Sequence, residues 1–231
     1  MSVTIYLVPD DSQLPSNQPT DAEIAATAAA LTAWITSDVG PAWGQDWQGH
    51  YSVLGLKRGA PVPAASPRVW LCHLTAESAL SGALGYHERD ANGNPVLYVA
   101  VQAATMAGRP WSLVASHEVA ETLVNRFVDA GILAAYQGGE GFFLMEACDP
   151  VEGQPAYMYH HNGVDYTMSN FCRPAYFVPG APGPYDWRGI LTAPLTPAAG
   201  GQQAVFLVNN VATISPDSAP GVHAGNRVGP S

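Results

Sequence analysis

The chain has 231 residues, enough for one domain with a core of its own, and 47% of them are hydrophobic, as in an ordinary globular protein. Charged residues make up 12% of the chain, about half of the usual share, and 23 glycines and 20 prolines predict many turns and irregular segments. The net charge of -10 removes nucleic acid and anionic membranes from the expected partners, because both require a basic face.

The N-terminal segment shows no sign of a targeting sequence. Residues 1–9 lack a basic region followed by a long apolar run, so no secretory signal is predicted and the cytoplasm is the expected compartment. No stretch approaches the roughly 18 apolar residues of a membrane helix. Cys72, Cys148 and Cys172 are widely spaced and form no Cys-x-x-Cys pair, which predicts reduced and mostly buried thiols.

The first half of the chain predicts strands around one amphipathic helix. Thr20 and Glu23 form the capping-box pattern that begins a helix, and the Ala-rich segment after them keeps the helical period to about Ser37. β-Branched and aromatic residues predict strands at 3–8, 51–57 and 68–74. Residues 80–94 are predicted to form a loop, because they lead into the strong turn signal Asn-Gly-Asn-Pro.

The second half begins with a predicted strand at 96–103 and then has the most regular helical segment of the chain. That helix follows Pro110 and extends over about 111–130, with Gly131 as its stop signal. Short strands are predicted at 142–147, 156–159 and 204–208, with a turn at Asn162-Gly163. The last residues, 216–231, are rich in Pro, Gly, Ser and Asn and are predicted to be a flexible tail.

This order of elements predicts an α+β fold. A mixed, twisted sheet would pack against the two helices and would be followed by a loop-rich C-terminal part. The sequence shows no internal repeat and no linker within these elements, so residues 1–215 are predicted to form a single domain.

The helix at 111–130 interrupts an apolar pattern with three residues of metal-binding types. His117 and Glu121 are four positions apart and therefore lie on one face, where they can hold one ion, while Glu118 points beside it. This is the spacing of the zinc-peptidase helix His-Glu-x-x-His, with a carboxylate in the second ligand position. The sequence therefore predicts a metal site on this helix.

A salt-bridged or hydrogen-bonded acidic face is the alternative interpretation of the same residues. The flanking residues are strongly apolar, which predicts a buried helix, and ionised carboxylates are costly to bury unless they are paired or bound to metal. Arg109 and Arg126 are the only cations nearby in sequence, too few to satisfy every acid of the region. These two observations favour metal binding.

The helix motif and the order of elements resemble the core of the zincin metallopeptidases. There, a backing helix and a twisted sheet support the metal helix, and the strand before that helix, here 96–103, lines the substrate cleft. One zincin subgroup has a glutamate a few tens of positions after the metal helix as its third ligand, and Glu146 fits this order. The resemblance implies that Glu118 is the general base. The metal ligands that it implies are His117, Glu121 and Glu146.

The same resemblance implies two supporting roles. In that subgroup an acid a few residues beyond the third ligand hydrogen-bonds the first helix histidine, and Asp149 is placed to do so. An exchange of roles between Glu146 and Asp149 stays open. Tyr157 and Tyr159 follow and are candidate donors to a developing oxyanion, with simple packing as the alternative.

Other residues leave the ligand set and the metal open. His87, His160 and His161 remain alternative ligands, although the last two precede an Asn-Gly turn and fit exposed loop histidines better. Zinc is the expected ion. Since Glu121 replaces an imidazole with a carboxylate, Mn²⁺ and Ca²⁺ become more competitive, and the water at the site would be acidified less.

Several sequence motifs together resemble those of a family of bacterial and phage-encoded proteins. That family is largely uncharacterised, and at best its members carry the name of metallopeptidases. The resemblance covers roughly residues 68–205, and the Asp-Pro expected after the metal helix is replaced by Asn125-Arg126. It draws attention to His87 and Glu152 as residues that shape the site. The matching motifs are Gly82–His87, Ser116–Glu118 with Glu121, Glu146–Glu152, Ser169–Phe171, Pro174–Phe177, Ala193-Pro194 and Gly200-Gly201.

The sequence therefore predicts a metal-dependent hydrolase, and within that class a peptidase that acts on a peptide or protein substrate. The first alternative is a non-catalytic, metal-stabilised protein of a phage or secretion-linked assembly. A small-molecule binding module is the second alternative, suggested only by the tryptophans and by Tyr86, Tyr98 and Tyr136.

Overall fold

The computed structural model describes residues 2–14, 19–44, 50–137, 139–207 and, for the backbone, 210–214. The chain forms two compact units, one of residues 1–127 and 156–169 and the other of residues 128–155 and 170–231. The single domain over 1–215 stays a prediction, and the predicted tail at 216–231 lies outside the described residues.

The described elements are eleven strands and three helices of more than one turn, joined by short helical turns. The strands are β1 (Val3–Pro9), β2 (Tyr51–Gly55), β3 (Val69–Thr75), β4 (Gly85–Arg89), β5 (Pro95–Ala100), β6 (Gly131–Tyr136), β7 (Gly139–Leu144), β8 (Tyr157–His161), β9 (Val164–Met168), β10 (Gln203–Leu207) and β11 (Asn210–Ile214). The helices are α1 (Asp21–Trp34), α2 (Val101–Met106) and α3 (Trp111–Val124), and the short turns are Ile35–Val39, Gly40–Ala42, Asp149–Val151 and Pro174–Phe177.

The first unit is built on a five-stranded mixed sheet of order β2-β1-β3-β5-β4. The first four of these strands are parallel, and β4 pairs antiparallel with β5 at the edge. This confirms the predicted α+β class with a mixed sheet. Side chains alternate between the two faces of a strand, and Ile5, Leu7, Trp70 and Leu97, which are among the largest fully buried side chains, share one face.

Helix α1 begins as its sequence predicts. The Thr20 hydroxyl accepts a hydrogen bond from the Glu23 N–H at 3.2 Å, and the Glu23 carboxylate accepts one from the Thr20 N–H at 2.7 Å. Near the other end of α1, the Thr32 hydroxyl accepts from the Val53 N–H at 2.8 Å and lies 3.2 Å from the Val53 carbonyl oxygen. Through Thr32, helix α1 therefore contacts the outward-facing N–H and carbonyl groups of Val53 in edge strand β2.

Helix α3 packs against β4, β5 and β9. Its serines fix it to the hairpin that contains β9, since the Ser112 hydroxyl donates to the Thr167 carbonyl at 3.0 Å and the Ser116 hydroxyl accepts from the Ser169 N–H at 2.8 Å. Both α1 and α3 have 14 residues. Among the described residues, no helix combines the length and apolar character needed to cross a membrane.

The structure corrects two predictions beside β5. The segment 80–94, predicted as a loop, contains strand β4, whose pattern was weak because only His87 of its five residues is buried. The predicted strand 96–103 ends at Ala100, and the chain continues as α2, in keeping with the higher helix propensity of its alanines. Strand β5 has hydrogen-bonded neighbours on both sides, namely β3 and β4. The edge of the described sheet on this side is therefore β4 and not β5.

Further corrections concern the chain after α3. The helix predicted to reach about residue 130 ends at Val124, where Asn125 leaves helical geometry although its N–H still donates to the Glu121 carbonyl at 2.7 Å. Three strands were not predicted, namely β6, β9 and β11. Each pairs antiparallel with a neighbouring strand in sequence, and β9 follows the predicted turn at Asn162-Gly163.

The second unit has a four-stranded antiparallel sheet of order β11-β10-β7-β6. Its loops are held by the fully buried Asp186, which accepts hydrogen bonds from the Asn170 side chain and from the Leu191 N–H, both at 2.8 Å. Gly201 packs so closely that a Cβ would clash with the Pro150 carbonyl oxygen. The Gly200-Gly201 motif noted in the sequence therefore marks a close backbone contact within this unit.

We expect the native thiols to be unreactive. Cys72, Cys148 and Cys172 form no disulfide and are fully buried, and burial raises the pKa of the Cys72 thiol, so its reactive thiolate is disfavoured. A thiol-reactive disulfide reagent should therefore label no cysteine in the native protein and three after unfolding in guanidinium. Rapid labelling of the folded chain would contradict the buried positions.

Candidate metal centre

Helix α3 places the three predicted residues in a largely buried position. Glu118 and Glu121 are each 4% exposed, whereas the side chain of His117 keeps 14% of its surface. Their spacing gives the predicted neighbours, since the His117 Nε2 atom lies 3.4 Å from Glu121 Oε1. We call His117 Nε2 and Glu121 Oε1 the outer pair.

A fourth residue joins this group from the edge strand. His87 on β4 has its Nδ1 atom 3.5 Å from Glu118 Oε2 and 3.8 Å from Glu121 Oε2. These three atoms are called the inner triad. Glu121 therefore has one imidazole at each of its two carboxylate oxygens, His117 at Oε1 and His87 at Oε2.

The pairing of the sheet explains why His87 points at the helix. His87 lies opposite Leu97, Leu97 opposite Cys72, and these three side chains share the buried face that α3 covers. Gly85, two positions earlier, faces the same way, and a Cβ on it would lie 2.6 Å from Glu118 Oε1. Glycine at this position therefore leaves room for the Glu118 carboxylate.

The backbone at the end of α3 fixes the ring of His87. The His87 Nε2 atom lies 3.3 Å from the Asn125 carbonyl oxygen. A carbonyl can only accept, so Nε2 carries the proton in this contact and Nδ1 is the nitrogen that faces the carboxylates. A ring nitrogen bonded to a backbone carbonyl while the other faces a prospective ion is the usual arrangement of a metal-binding histidine.

Electrostatics at Glu118 are set by burial. Burial raises the pKa of the Glu118 carboxyl above its ordinary value, and the charge of Glu121 raises it further, while the imidazoles of His87 and His117 lower it. Glu118 Oε2 has no hydrogen-bond donor in bonding geometry within the described ranges. Burial therefore favours the protonated form of Glu118 more than it would for an exposed carboxyl.

Three pairwise contacts of the group have lengths that also occur between two ligands of one ion. Two donor atoms that each lie about 2.1 Å from a tetrahedral ion are about 3.4 Å apart. The outer pair has this separation, and the His87 contacts at 3.5 and 3.8 Å are close to it. A direct charged hydrogen bond would be shorter, at about 2.7–2.9 Å.

The two arginines considered in the sequence have other positions. The Arg126 guanidinium lies 5.0 Å from the ring centre of Trp70, a cation–π contact, and Arg109 is exposed. Arg89 of β4 donates to the Phe127 carbonyl. The alternative of a salt-bridged or hydrogen-bonded acidic face stays open, because both glutamates lie within ion-pair distance of imidazoles.

Glu146 and Asp149 belong to the second unit. Glu146 follows β7 and is 1% exposed, and its N–H donates to the Leu144 carbonyl at 3.1 Å. Asp149 begins the helical turn Asp149–Val151, is 5% exposed, and its carbonyl accepts from the Gln202 N–H at 2.9 Å. Their predicted roles as third ligand and as partner of the first histidine stay predictions.

The hydroxyl of Tyr157 is engaged with the end of α1. It donates to Asp38 Oδ2 at 3.0 Å and accepts a hydrogen bond from the Trp34 indole N–H. Tyr159 lies one alternation further along β8, with its hydroxyl 3.1 Å from the Ser37 hydroxyl. Donation to an oxyanion by Tyr157 stays a prediction, and it would require the bond to Asp38 to break.

The remaining candidate histidines lie at the tip of the β8–β9 hairpin. His160 is exposed and contacts Asp165 of the opposite strand at 2.8 Å, and His161 contacts its neighbour Asn162. Both histidines end strand β8 instead of lying in a loop, and His160 is exposed as predicted whereas His161 is half-buried. The alternative ligand that the fold brings to α3 is His87.

Comparison of the chain with protein-family models, with curated proteins and with the solved structures found no match. The zincin resemblance therefore depends on the motifs of the sequence.

We predict that Gly85→Ala destabilises the protein by about 1–3 kcal/mol, as expected for an added methyl group in a tight site. The new methyl would meet Glu118 Oε1 at 2.6 Å and the Val114 side chain at 2.7 Å. Gly139→Ala is the matched control, since its Cβ would meet nothing closer than 3.8 Å. Equal urea midpoints for the two variants would contradict the close approach of β4 to Glu118.

We also predict that Tyr157→Phe lowers the free energy of unfolding by about 1 kcal/mol, the usual net contribution of a hydrogen bond. The variant removes the hydroxyl that joins Trp34 and Asp38. Tyr159→Phe, which removes an exposed contact, should cost less than half as much. Thermal unfolding measures both, and an unchanged melting temperature for Tyr157→Phe would refute the structural role.

Proposed function

We propose that this protein is a metal-dependent hydrolase, and within that class a peptidase. The observation that carries the proposal is the convergence of two imidazoles on the buried carboxylates of α3 at ligand-to-ligand distances. Burial of ionised carboxylates costs several kcal/mol unless a cation compensates them. A divalent cation would provide that compensation at the outer pair.

His117 and Glu121 would hold the ion, and a third ligand is needed for a usable site. The resemblance to zincins assigns that place to Glu146, with Asp149 as the exchange candidate. A set of one imidazole and two carboxylates suits zinc, and its oxygen content also admits Mn²⁺ or Ca²⁺. His117 retains some exposed surface, which fits an ion that substrate and water can reach.

The chemistry follows from the ion and from Glu118. A bound divalent cation supplies Lewis acidity, which polarises the scissile carbonyl and acidifies water. Glu118 directly follows the first ligand, and in this proposal it takes a proton from the attacking water and passes it to the leaving amine.

The edge strand suggests how a peptide would bind. Strand β4 ends the described part of the sheet, carries Gly85 and His87, and packs against α3. An extended peptide can add to such an edge by backbone hydrogen bonds, a common mode of peptide recognition. In this proposal, a peptide paired with β4 lies alongside the residues that bind the ion.

The second candidate function is a non-catalytic, metal-stabilised protein. The depth of the site favours it, since the side chains of Glu118 and His87 are only 5% and 4% exposed. A structural ion needs no access for substrate, whereas a catalytic one keeps an open position. The two candidates share metal binding and differ in what Glu118 does.

We expect metal to stabilise the protein through His117 and Glu121. In protein stripped by a chelator, zinc at about a thousand times its Kd should add about 4 kcal/mol to the free energy of unfolding. His117→Ala and Glu121→Ala should abolish this gain. Glu88→Ala, at an exposed position of β4, is the control and should keep it. Full metal content in both helix variants, measured by mass spectrometry, would refute the ligand assignment.

We expect Glu118→Gln to retain metal at the outer pair and to lower peptide hydrolysis by about 10²–10⁴-fold, the usual contribution of a general base. A peptide library digested by the metal-loaded parent and by the variant provides the measurement. Cleavage by the parent that the variant keeps would contradict the role of Glu118. Equal inertness of the two proteins would favour the non-catalytic candidate.

A further inference from the structure

We propose that the peptides bound by this protein carry a basic residue, then any residue, then an aromatic residue, and that Tyr86 and Glu88 of β4 select them. The inference rests on the proposed pairing of an extended peptide with β4 and names the class of that peptide. Tyr86 and Glu88 lie on the face of β4 opposite to that of Gly85 and His87, which faces α3.

Three aromatic rings stack across neighbouring strands of the first unit. Tyr86 of β4 lies opposite Tyr98 of β5, which lies opposite His73 of β3. The ring centres of Tyr86 and Tyr98 are 4.6 Å apart with 16° between the ring planes, and those of Tyr98 and His73 are 5.4 Å apart with 23°. We call these three rings the aromatic ladder. Because neighbouring strands are about 4.7–4.9 Å apart, a further strand would add one further position for a stacked ring.

The two ends of the aromatic ladder differ. On β1, the residue opposite His73 is Val8, so the stack of rings ends there. At the other end, Tyr86 is half-buried on the edge strand of the described sheet, and its stacked neighbour Tyr98 lies on the β5 side. A strand added to this edge would place a side chain against the other side of the Tyr86 ring. An aromatic side chain there gains stacking in addition to burial.

The hydrogen bonds between β4 and β5 indicate how a peptide would pair. The Ala100 N–H donates to the Leu84 carbonyl at 2.8 Å, so the even-numbered residue faces β5. Because the bonding direction alternates along a strand, the backbone groups of Gly85 and His87 face the outer edge. An antiparallel peptide would bond to these two residues. Tyr86 would then lie in a pair without hydrogen bonds, in which opposite side chains are closest.

The charge of Glu88 adds a second requirement. Glu88 is exposed and lies two positions after Tyr86, on the same face of the strand. Burial, followed by the charges of Tyr98 and Glu88, raises the pKa of Tyr86 to about 12, so the ring is neutral at physiological pH and lies within range of the Glu88 charge. Arg89 faces the other way, and its guanidinium donates to the Phe127 carbonyl. A cationic side chain opposite Glu88 would therefore form a favourable cross-strand pair.

The direction of the peptide sets the order of its residues. In an antiparallel pair, the residue opposite Glu88 comes two positions before the residue opposite Tyr86, which gives the order basic, any, aromatic. The middle residue lies opposite His87, and its side chain points to the face that α3 covers. The net charge of -10 on the chain also favours the approach of a basic peptide.

Peptide binding tests the proposal. Fluorescent heptapeptides are titrated with the full chain carrying Glu118→Gln, which prevents turnover in the proposed mechanism, and anisotropy gives the Kd. The reference is Thr-Val-Lys-Thr-Phe-Val-Thr. Cyclohexylalanine in place of Phe keeps the size but removes the π-system, and it should weaken binding about twofold to tenfold. Norleucine in place of Lys should weaken binding about twofold to fivefold, and this difference should fade in high salt.

Variants of the protein assign these preferences to single residues. Tyr86→Val keeps the strand propensity and should abolish the preference for Phe over cyclohexylalanine. Glu88→Gln should abolish the preference for Lys over norleucine. Tyr136→Val on β6, the edge strand of the other described sheet, and Glu140→Gln at an exposed position of β7 are the matched controls and should keep both preferences.

A peptide of the same composition with the two residues exchanged, Thr-Val-Phe-Thr-Lys-Val-Thr, is the control for non-specific attraction. Binding of this peptide as tight as that of the reference would overturn the inference, as would equal binding of the Phe and cyclohexylalanine peptides. Absence of binding by every peptide would overturn it as well. These comparisons use the intact Tyr86, so they decide even if Tyr86→Val fails to fold.

The outcome is separable from that of the proposed hydrolysis. Preferential binding of the reference peptide by a protein whose metal-loaded parent cleaves no peptide would support the inference and refute the hydrolase. Cleavage of library peptides without preference for the basic and aromatic residues would overturn the inference and leave the proposed function intact.

Discussion

The burial of two carboxylates on one helix is the constraint on which the rest of this structure depends. Glu118 and Glu121 are one turn apart on α3 and nearly inaccessible to water. Charges in such a place must be balanced, and the imidazoles of His87 and His117 lie close to these carboxylates. The fit of β4 against α3, with a glycine where Glu118 needs room, keeps these groups within reach of one another.

The helix motif was predictable because it is local. Positions four apart on a helix must be neighbours, so the contact between His117 and Glu121 follows from the sequence alone. The same applies to the capping box of Thr20 and Glu23, whose two hydrogen bonds join residues three positions apart. The α+β class also followed from the order of strong apolar segments.

The part of the site that involves His87 was not predictable in this way. Strand β4 has one buried residue among five and little apolar signal, so its existence depends on pairing with β5. The family resemblance drew attention to His87, but the orientation of its ring depends on the Asn125 carbonyl, 38 residues away. The contacts of Tyr157 with Trp34 and Asp38 span still larger separations and changed its interpretation from a free donor to an engaged one.

The two edges of the sheet in the first unit differ, because the Thr32 hydroxyl covers part of the β2 edge. It occupies the outward-facing N–H of Val53 and lies close to its carbonyl, so another chain cannot easily pair with β2 at that point. Strand β4 forms the opposite edge of the sheet, and its exposed residues are the charged Glu88 and Arg89. Unwanted self-association through strand pairing would therefore involve the β4 edge, and the charges of β4 discourage it.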